Sequence, residues 1–431
     1  MTDPRRIQVP VLTRVEGEGA LDLRIRDGEI EKLQLRIFEP PRLFEKLLEG
    51  RPWSDVIDIV ARICGICPVA YQMTAAQALE EIFGVTVEPA IAELRRAMYF
   101  AEWIESHALH IHLLAAPDFL GFDSVTAMAE QYPDEVRRGL HLQGLGNRLL
   151  ALLGGRSVHP VSVCVGGFTR LPERRELNAL LEEYREALPL AEALLAWTAT
   201  LKLPDMTQDF PAVALRHPQV YPIEAGRIVS SEGLDIDAAA FPEHFREAQV
   251  AYSNALHCHL HDRPYLVGPL ARLNLNRDRL PPPVAAVLER TGITFPSANP
   301  FHGIVARAVE ILLAFHEVIR LLENWRAPER SRVPFTVRGG VGHGCTEAPR
   351  GILWHRYALD EAGMVRAATI TPPTSQNQAR IEEDLRQALP RFGLERPDAE
   401  LRAFAEQVIR NYDPCISCAT HFLRLQVERA P

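Results

Sequence analysis

The sequence has 431 residues, of which 47% are hydrophobic and 24% charged, with a formal net charge of −9. That length buries a large core and excludes a tail or a small module. The negative balance, with Arg scattered rather than clustered, excludes a protein that tracks nucleic-acid phosphates. No run of about 18 apolar residues occurs, so no membrane-spanning helix is expected.

Along the chain, the opening MTDPRRIQVPVLTRVEG has no charged region followed by an apolar run. No secretory signal is therefore expected, and the cytoplasm is the default address. Leu21, Leu23 and Ile25, then Ile30, Leu33, Leu35 and Ile37, lie on either side of Asp27-Gly28, which predicts a β-hairpin. From Pro68 the apolar spacing turns helical and predicts helices over 68–83, 90–115, 134–153, 174–201, 236–260 and 302–325. Pro and Gly clusters at 279–283 and 338–342 interrupt the second half, and 333–373 reads as strand and loop. With no internal repeat and no composition shift, one domain is expected. Its class is α+β, mainly α: a β region over 1–60, a large helical-bundle core over 61–330, a strand and loop region over 331–421, and a tail over 422–431.

Seven cysteines are too few to scaffold a chain this long, and four of them form two C-x-x-C pairs. The first pair lies in Arg62-Ile-Cys64-Gly-Ile-Cys67-Pro68, the second in Asp413-Pro-Cys415-Ile-Ser-Cys418-Ala-Thr-His421. Pro68 suits a first helical turn, which places Cys67 where the helix dipole favours a thiolate. Cys164, Cys258 and Cys345 stand alone and read as small core residues.

Three readings of the four cysteines remain open. A structural zinc site uses such pairs, but usually within short loops rather than nearly a whole chain apart. A thioredoxin-like disulfide motif would want a surrounding βαβ pattern, which is absent. Soft thiolates also suit nickel, and bridging thiolates can hold two metals while leaving positions open for a gas ligand.

Taken together, the two motifs closely resemble the paired signatures of the nickel-iron hydrogenase large subunit. The resemblance runs through Thr13-Arg-Val-Glu-Gly17, Phe44-Glu45, Gly155-Arg156 with His159-Pro160, and Glu347-Ala-Pro-Arg-Gly351. It implies an enzyme that splits H2 into protons and electrons, or makes it. By the same resemblance Cys64 and Cys415 are terminal ligands of nickel, and Cys67 and Cys418 bridge to an iron carrying carbon monoxide and cyanide. Glu16 passes protons away from a terminal cysteine, and Arg350 hangs over the open metal positions, ordered by Asp413 and Pro349. Glu45 and His421 bind a magnesium or iron ion. Without the resemblance, Glu16 reads as a surface or ion-paired carboxylate, Glu45 as a solvated helix residue, and Arg350 with Asp413 as a structural pair.

The implied partners are a small subunit with iron-sulfur clusters, nickel-insertion proteins, and a maturation protease. The tail over 422–431 is either the peptide that protease removes or a retained strand. Several positions depart from the family pattern. Tyr71 stands where many members have His, Glu18 likewise, and Ser106 stands where several have an Asp that pairs with the active-site arginine. A phenol cannot act as a base near neutral pH, and without that Asp the orientation of Arg350 should fall to Asp413. His107 and His110, beside Ser106 on one helical face, read as hydrogen-bonded core histidines rather than ligands. These features are similar to the cytosolic, reversible hydrogenases that exchange electrons with NAD(P) through flavin and iron-sulfur subunits of diaphorase type. No dinucleotide fingerprint occurs here, so electrons would leave through a partner. A related non-catalytic subunit of respiratory complex I lacks the four cysteines, and all four are present.

Overall fold

Alternating apolar residues build the first sheet. In the computed structural model, which describes residues 4–420, strands β1 (Arg5–Val9), β2 (Gly19–Arg26) and β3 (Glu29–Ile37) form an antiparallel meander. Asp27 and Gly28 link β2 to β3 with φ of 50° and 82°, the left-handed pair that a two-residue hairpin turn requires. Leu21, Leu23, Leu33, Leu35 and Ile37 are buried in the main core.

Five long helices follow: α1 (Pro68–Phe83), α2 (Pro89–Leu109), α3 (Pro133–Gly154), α4 (Arg174–Thr198) and α5 (Gly303–Asn324). The first three begin with proline in their first turn, where a backbone N–H has no helical partner to lose. Helix α2 is central, packing on α3 and α5, while α5 packs on α4. A Cβ on Gly146 of α3 would lie 2.6 Å from the Ala101 carbonyl oxygen, so α2 and α3 touch backbone to backbone there. The helix expected over 90–115 changes character at its end, passing into a π-helical segment over His110–Ala115.

The helix expected over 236–260 does not form. Instead Phe245–Gln249 and Leu256–Leu260 pair as antiparallel strands. Leu256 joins the main core, while Cys258 and Leu260 pack with Phe241, Phe245, Tyr265 and Trp354 in a second, smaller cluster of buried side chains. The apolar spacing of this stretch fits both periods, and the available packing surface decided between them.

Strands β4 (Gly340–Ala348), β5 (Gly351–Leu359) and β6 (Val365–Thr371) form another antiparallel meander, as the texture of 333–373 predicts. Two glycines within β4 have a packing role. A Cβ on Gly342 or Gly344 would collide with the carbonyls of Ala78 and Thr74, so bare backbone lets β4 lie directly on α1. The remainder of the expected strand and loop region is helical, as α6 (Pro373–Phe392) and α7 (Asp398–Asn411). Its signal was present, since Ile381, Leu385, Ala388 and Leu389 are buried at helical spacing. No helix among the described residues is long and apolar enough to cross a membrane.

Candidate metal centre

Each cysteine pair sits where a loop enters a helix. Cys67 is the residue before α1, and Pro68 opens that helix. The backbone N–H groups of Ile66 and Cys67 donate to Cys64 Sγ at 3.3 and 3.2 Å. Cys415 precedes a short helical turn, Ile416–Ala419, and its N–H donates to Thr374 Oγ1 at 3.1 Å. Asp413 takes φ of 55°, the left-handed conformation that turns the chain out of α7 toward Cys415.

The two pairs meet. Cys64 and Cys415 sulfurs are 3.4 Å apart and Cys67 and Cys418 sulfurs 3.8 Å apart. All four are buried and lie within 4.8 Å of one another. Arg42, which sequence reasoning missed, ties the two segments together. Its guanidinium donates to the carbonyl of Ile63, at 2.6 Å, and to that of Ser417, and its N–H donates to Thr420 O at 2.7 Å. Nothing local marks Arg42 for this role, because the three carbonyls it serves belong to distant segments.

Glu16 joins from the N-terminal side. Its carbonyl accepts the Ile416 N–H at 3.0 Å, and its carboxylate accepts the Ser417 N–H and the Cys415 thiol, each at 3.1 Å, as well as the Ser417 hydroxyl. The next residue, Gly17, has φ of +89°, and a Cβ there would lie 2.6 Å from Ile416 Cβ. Only glycine permits this approach. Burial, and then the charge of Cys64, raise the Glu16 carboxyl above its ordinary pKa, although hydrogen bonds from Cys415 and Ser417 pull the other way.

Arg350 is buried beside Asp413. Its Nε donates to Asp413 O at 2.7 Å and its Nη2 to Asp413 Oδ1 at 3.0 Å. Its Nη1 has no hydrogen-bond partner among the described residues. Burial opposes the guanidinium charge, but Asp413 and then Cys415, Cys67 and Cys64 hold it firmly in place. Ser106 is buried with its hydroxyl unpartnered among the described residues. Tyr71 is buried in the first turns of α1, its ring 5.7 Å from that of His355. Burial, then the charge of Cys418, push its phenol well above the usual range, so it stays protonated.

His107 meets Glu310 at 2.9 Å and His110 meets the Arg410 carbonyl at 2.8 Å. Burial lowers their pKa values to about 4 and about 3, so both are neutral. Glu18 is exposed, with its N–H on Glu39. Glu45 lies half-buried in the short helix Phe44–Leu48 and accepts the Ile370 N–H at 2.7 Å. His421 lies outside the described residues.

The sulfurs suit a metal on chemical grounds. Burial raises the Cys64 thiol, yet hydrogen bonds from the other three cysteines and the charge of Arg350 bring it well below the ordinary thiol value. Burial and the neighbouring sulfurs push Cys415 well above that value. Four such thiols cannot all ionise together without a cation among them, and four soft donors fit nickel, iron or zinc.

Comparison with known proteins gives the family. A family model described as nickel-dependent hydrogenase matches residues 42–138 and 229–421, spans that include both cysteine pairs. The chain belongs to the nickel-dependent hydrogenases. Sulfhydrogenase 1 subunit alpha of Pyrococcus furiosus is 35% identical over 424 residues, covering 97% of this chain and 98% of that one. NAD-reducing hydrogenase HoxS subunit beta of Cupriavidus necator is 28% identical over 469 residues, covering 97% and 95%. Among solved structures, an NAD+-reducing NiFe hydrogenase in its H2-reduced state matches with a TM-score of 0.88 at 28% identity, covering 97% of this chain and 99% of that one. The chain is thus an oxidoreductase acting on H2, and its mainly α fold is that of hydrogenase large subunits.

Proposed function

We propose that Cys64, Cys67, Cys415 and Cys418 hold a nickel-iron centre at which H2 is cleaved reversibly and heterolytically, the chain acting as one large-subunit domain. The observation that carries this reading is the convergence of four buried sulfurs from two ends of the chain within 4.8 Å. Cys64 and Cys415 would hold nickel, and Cys67 and Cys418 would hold nickel together with an iron carrying carbon monoxide and cyanide. When bound, the metal pair polarises H2 and takes up its electrons.

The chain's own residues then manage the proton. Cys415 Sγ accepts it and passes it to Glu16 Oε2, which lies 3.1 Å away. The raised pKa of Glu16 brings the carboxyl nearer to a thiol, so the transfer is closer to balanced than with an ordinary carboxylate. Arg350, fixed by Asp413 and by its place after Pro349, supplies a buried positive charge close enough to feel Cys415, Cys67 and Cys64, and its Nη1 is a donor with no partner among the described residues. Glu45, together with His421, is assigned to a magnesium or iron ion of structural role, since a carboxylate suits a hard cation.

Electrons leave through a small subunit bearing iron-sulfur clusters. From there the acceptor is NAD(P), reached through flavin and iron-sulfur subunits, a reading supported by the NAD-reducing relatives and by the lack of a dinucleotide fingerprint in this chain. The cytoplasm is the matching location. Nickel-insertion proteins and a maturation protease would act on the chain before assembly, with residues 422–431 either the peptide that protease removes or a retained segment.

The infrared spectrum of the purified protein tests the centre, because bound carbon monoxide and cyanide absorb where protein does not. Those bands are expected together with nickel and iron by elemental analysis. In Cys418→Ala, both the metals and H2 oxidation should disappear. Zinc alone in the native protein, or normal turnover in the variant, would overturn the assignment.

A further inference from the structure

Arg350 stands at the tip of a hairpin. Ala348 pairs with Gly351 across the end of β4 and β5, leaving Pro349 and Arg350 as a two-residue turn. Asp413 holds the Arg350 side chain, but the backbone of the turn needs its own anchor. A long side chain on a tight turn swings through a wide arc when the turn rocks. The anchor lies behind the hairpin. Arg272 is completely buried on the short helix Pro269–Asn276, and donates to the Pro349 carbonyl at 2.8 Å and to the Ala348 carbonyl at 2.7 Å.

The rest of this guanidinium is equally committed. Nε and Nη2 meet the two oxygens of Glu310 at 2.8 and 2.7 Å, and Nη1 meets Glu347 Oε2 at 2.9 Å. Its plane lies over the Trp103 ring, with 4.3 Å from Cζ to the ring centroid. Trp103 in turn donates from its indole to Glu347 O at 3.1 Å. Glu310 also receives His107 and the Tyr221 hydroxyl, both at 2.9 Å. The network therefore joins α2, α5 and the Arg272 helix to the three residues that lead into Arg350.

A second contact shows how closely the two pieces are seated. Gly268, at the start of the Arg272 helix, leaves room for the Arg350 carbonyl, which would lie only 2.9 Å from a Cβ at that position.

We infer that Arg272 is a positioning residue for H2 activation: its guanidinium clamps the Ala348–Pro349 carbonyls, so that Arg350 is aimed at the four-sulfur site from behind while Asp413 aims it from the side. This rests on the role assigned to Arg350 above. Arg272 does not touch the sulfurs itself. A flat five-donor fork is what the arrangement requires, because two carboxylates and two carbonyls are served in one plane, which an ammonium group cannot reproduce.

The test is a double-mutant cycle in the assembled, metal-loaded enzyme, using Arg272→Lys and Arg350→Lys, with H2/D2 exchange expressed per bound nickel. Arg272→Lys should retain nickel and lower the exchange rate at least tenfold, at an unchanged melting temperature within a few degrees. The double variant should be no slower than Arg350→Lys alone, because both changes remove the same aim. If Arg272→Lys does not accumulate, Arg272→Gln, which keeps an amide donor for one carbonyl, takes its place in the same cycle. Wild-type exchange per nickel in either Arg272 variant overturns the inference, as does multiplication of the two losses. Wild-type exchange in Arg350→Lys would overturn the role of Arg350 itself and with it the inference, a result distinct from an Arg272 variant alone having no effect.

Discussion

Replacement of Asp118 by Asn tests how the segment leading to Glu16 is held. Asp118 receives Arg410 Nε and Nη2 at 2.8 and 2.9 Å and also the Arg14 guanidinium, with about a tenth of its side chain exposed. Arg410 reaches on to the Thr13 carbonyl at 3.2 Å, so this one carboxylate fixes the two residues that lead toward Glu16. Removing one partner of a buried pair costs about 3–5 kcal/mol. Here Arg410 keeps Glu406 at 2.9 Å and Arg14 keeps the Leu114 carbonyl at 2.8 Å, which places Asp118→Asn at the lower end, about 3 kcal/mol. With an unfolding entropy of about 2.1 cal/mol/K per residue, a chain of 431 residues would lose roughly 3 °C in Tm if it melts as one unit. The local effect should exceed the global one, because the strand-like contact between Glu16 and Cys415 depends on this anchor. Calorimetry and H2/D2 exchange on nickel-loaded protein read the two effects separately. A Tm within 1 °C of wild type together with unchanged exchange would refute the reasoning.

Two further variants address individual groups. Glu16→Gln keeps the size and most hydrogen bonds of the side chain but cannot carry the proton, so metal content should be retained while exchange and H2 oxidation fall on the order of a hundredfold or more; unchanged rates would remove Glu16 from the proton path. His110 is neutral in the fold because burial lowers its pKa to about 3, while the unfolded chain takes up a proton below about 6.5. Its contribution to stability is therefore complete above pH 6.5 and lost as pH falls toward 3, amounting to about 2 kcal/mol by pH 5. His110→Gln retains a donor for the Arg410 carbonyl without this titration, so urea denaturation should show its stability deficit shrinking by about 2 kcal/mol between pH 7.5 and pH 5. An equal gap at both pH values would count against a buried neutral histidine.

Much of the local architecture was readable from residue order. The Asp27-Gly28 turn and the helices around residues 68–83, 133–154 and 303–324 follow from spacing, because one apolar face per element is a property of neighbours three or four residues apart. Where two periods fitted the same residues, as in 236–260, spacing could not choose. The pocket offered to Cys258 and Leu260 by Phe245, Tyr265 and Trp354 chose strands. The helices over 373–411 were legible in principle, and their polar first turns concealed them. Arg42, Arg272 and Thr374 left no mark at all, since each serves backbone atoms or partners far away in sequence.

By itself the order of residues determined that two C-x-x-C pairs exist, that one opens a helix, and which known family they resemble. Only the tertiary structure decided that all four sulfurs share one buried space, with Glu16 on Cys415 and Arg350 paired to Asp413 beside them. The physical reason is range. Helix and hairpin signals come from interactions within a few residues, whereas the sulfur site is assembled by Arg42, Gly17 and the α1 to β4 contact, each joining segments whose separation along the chain carries no local trace.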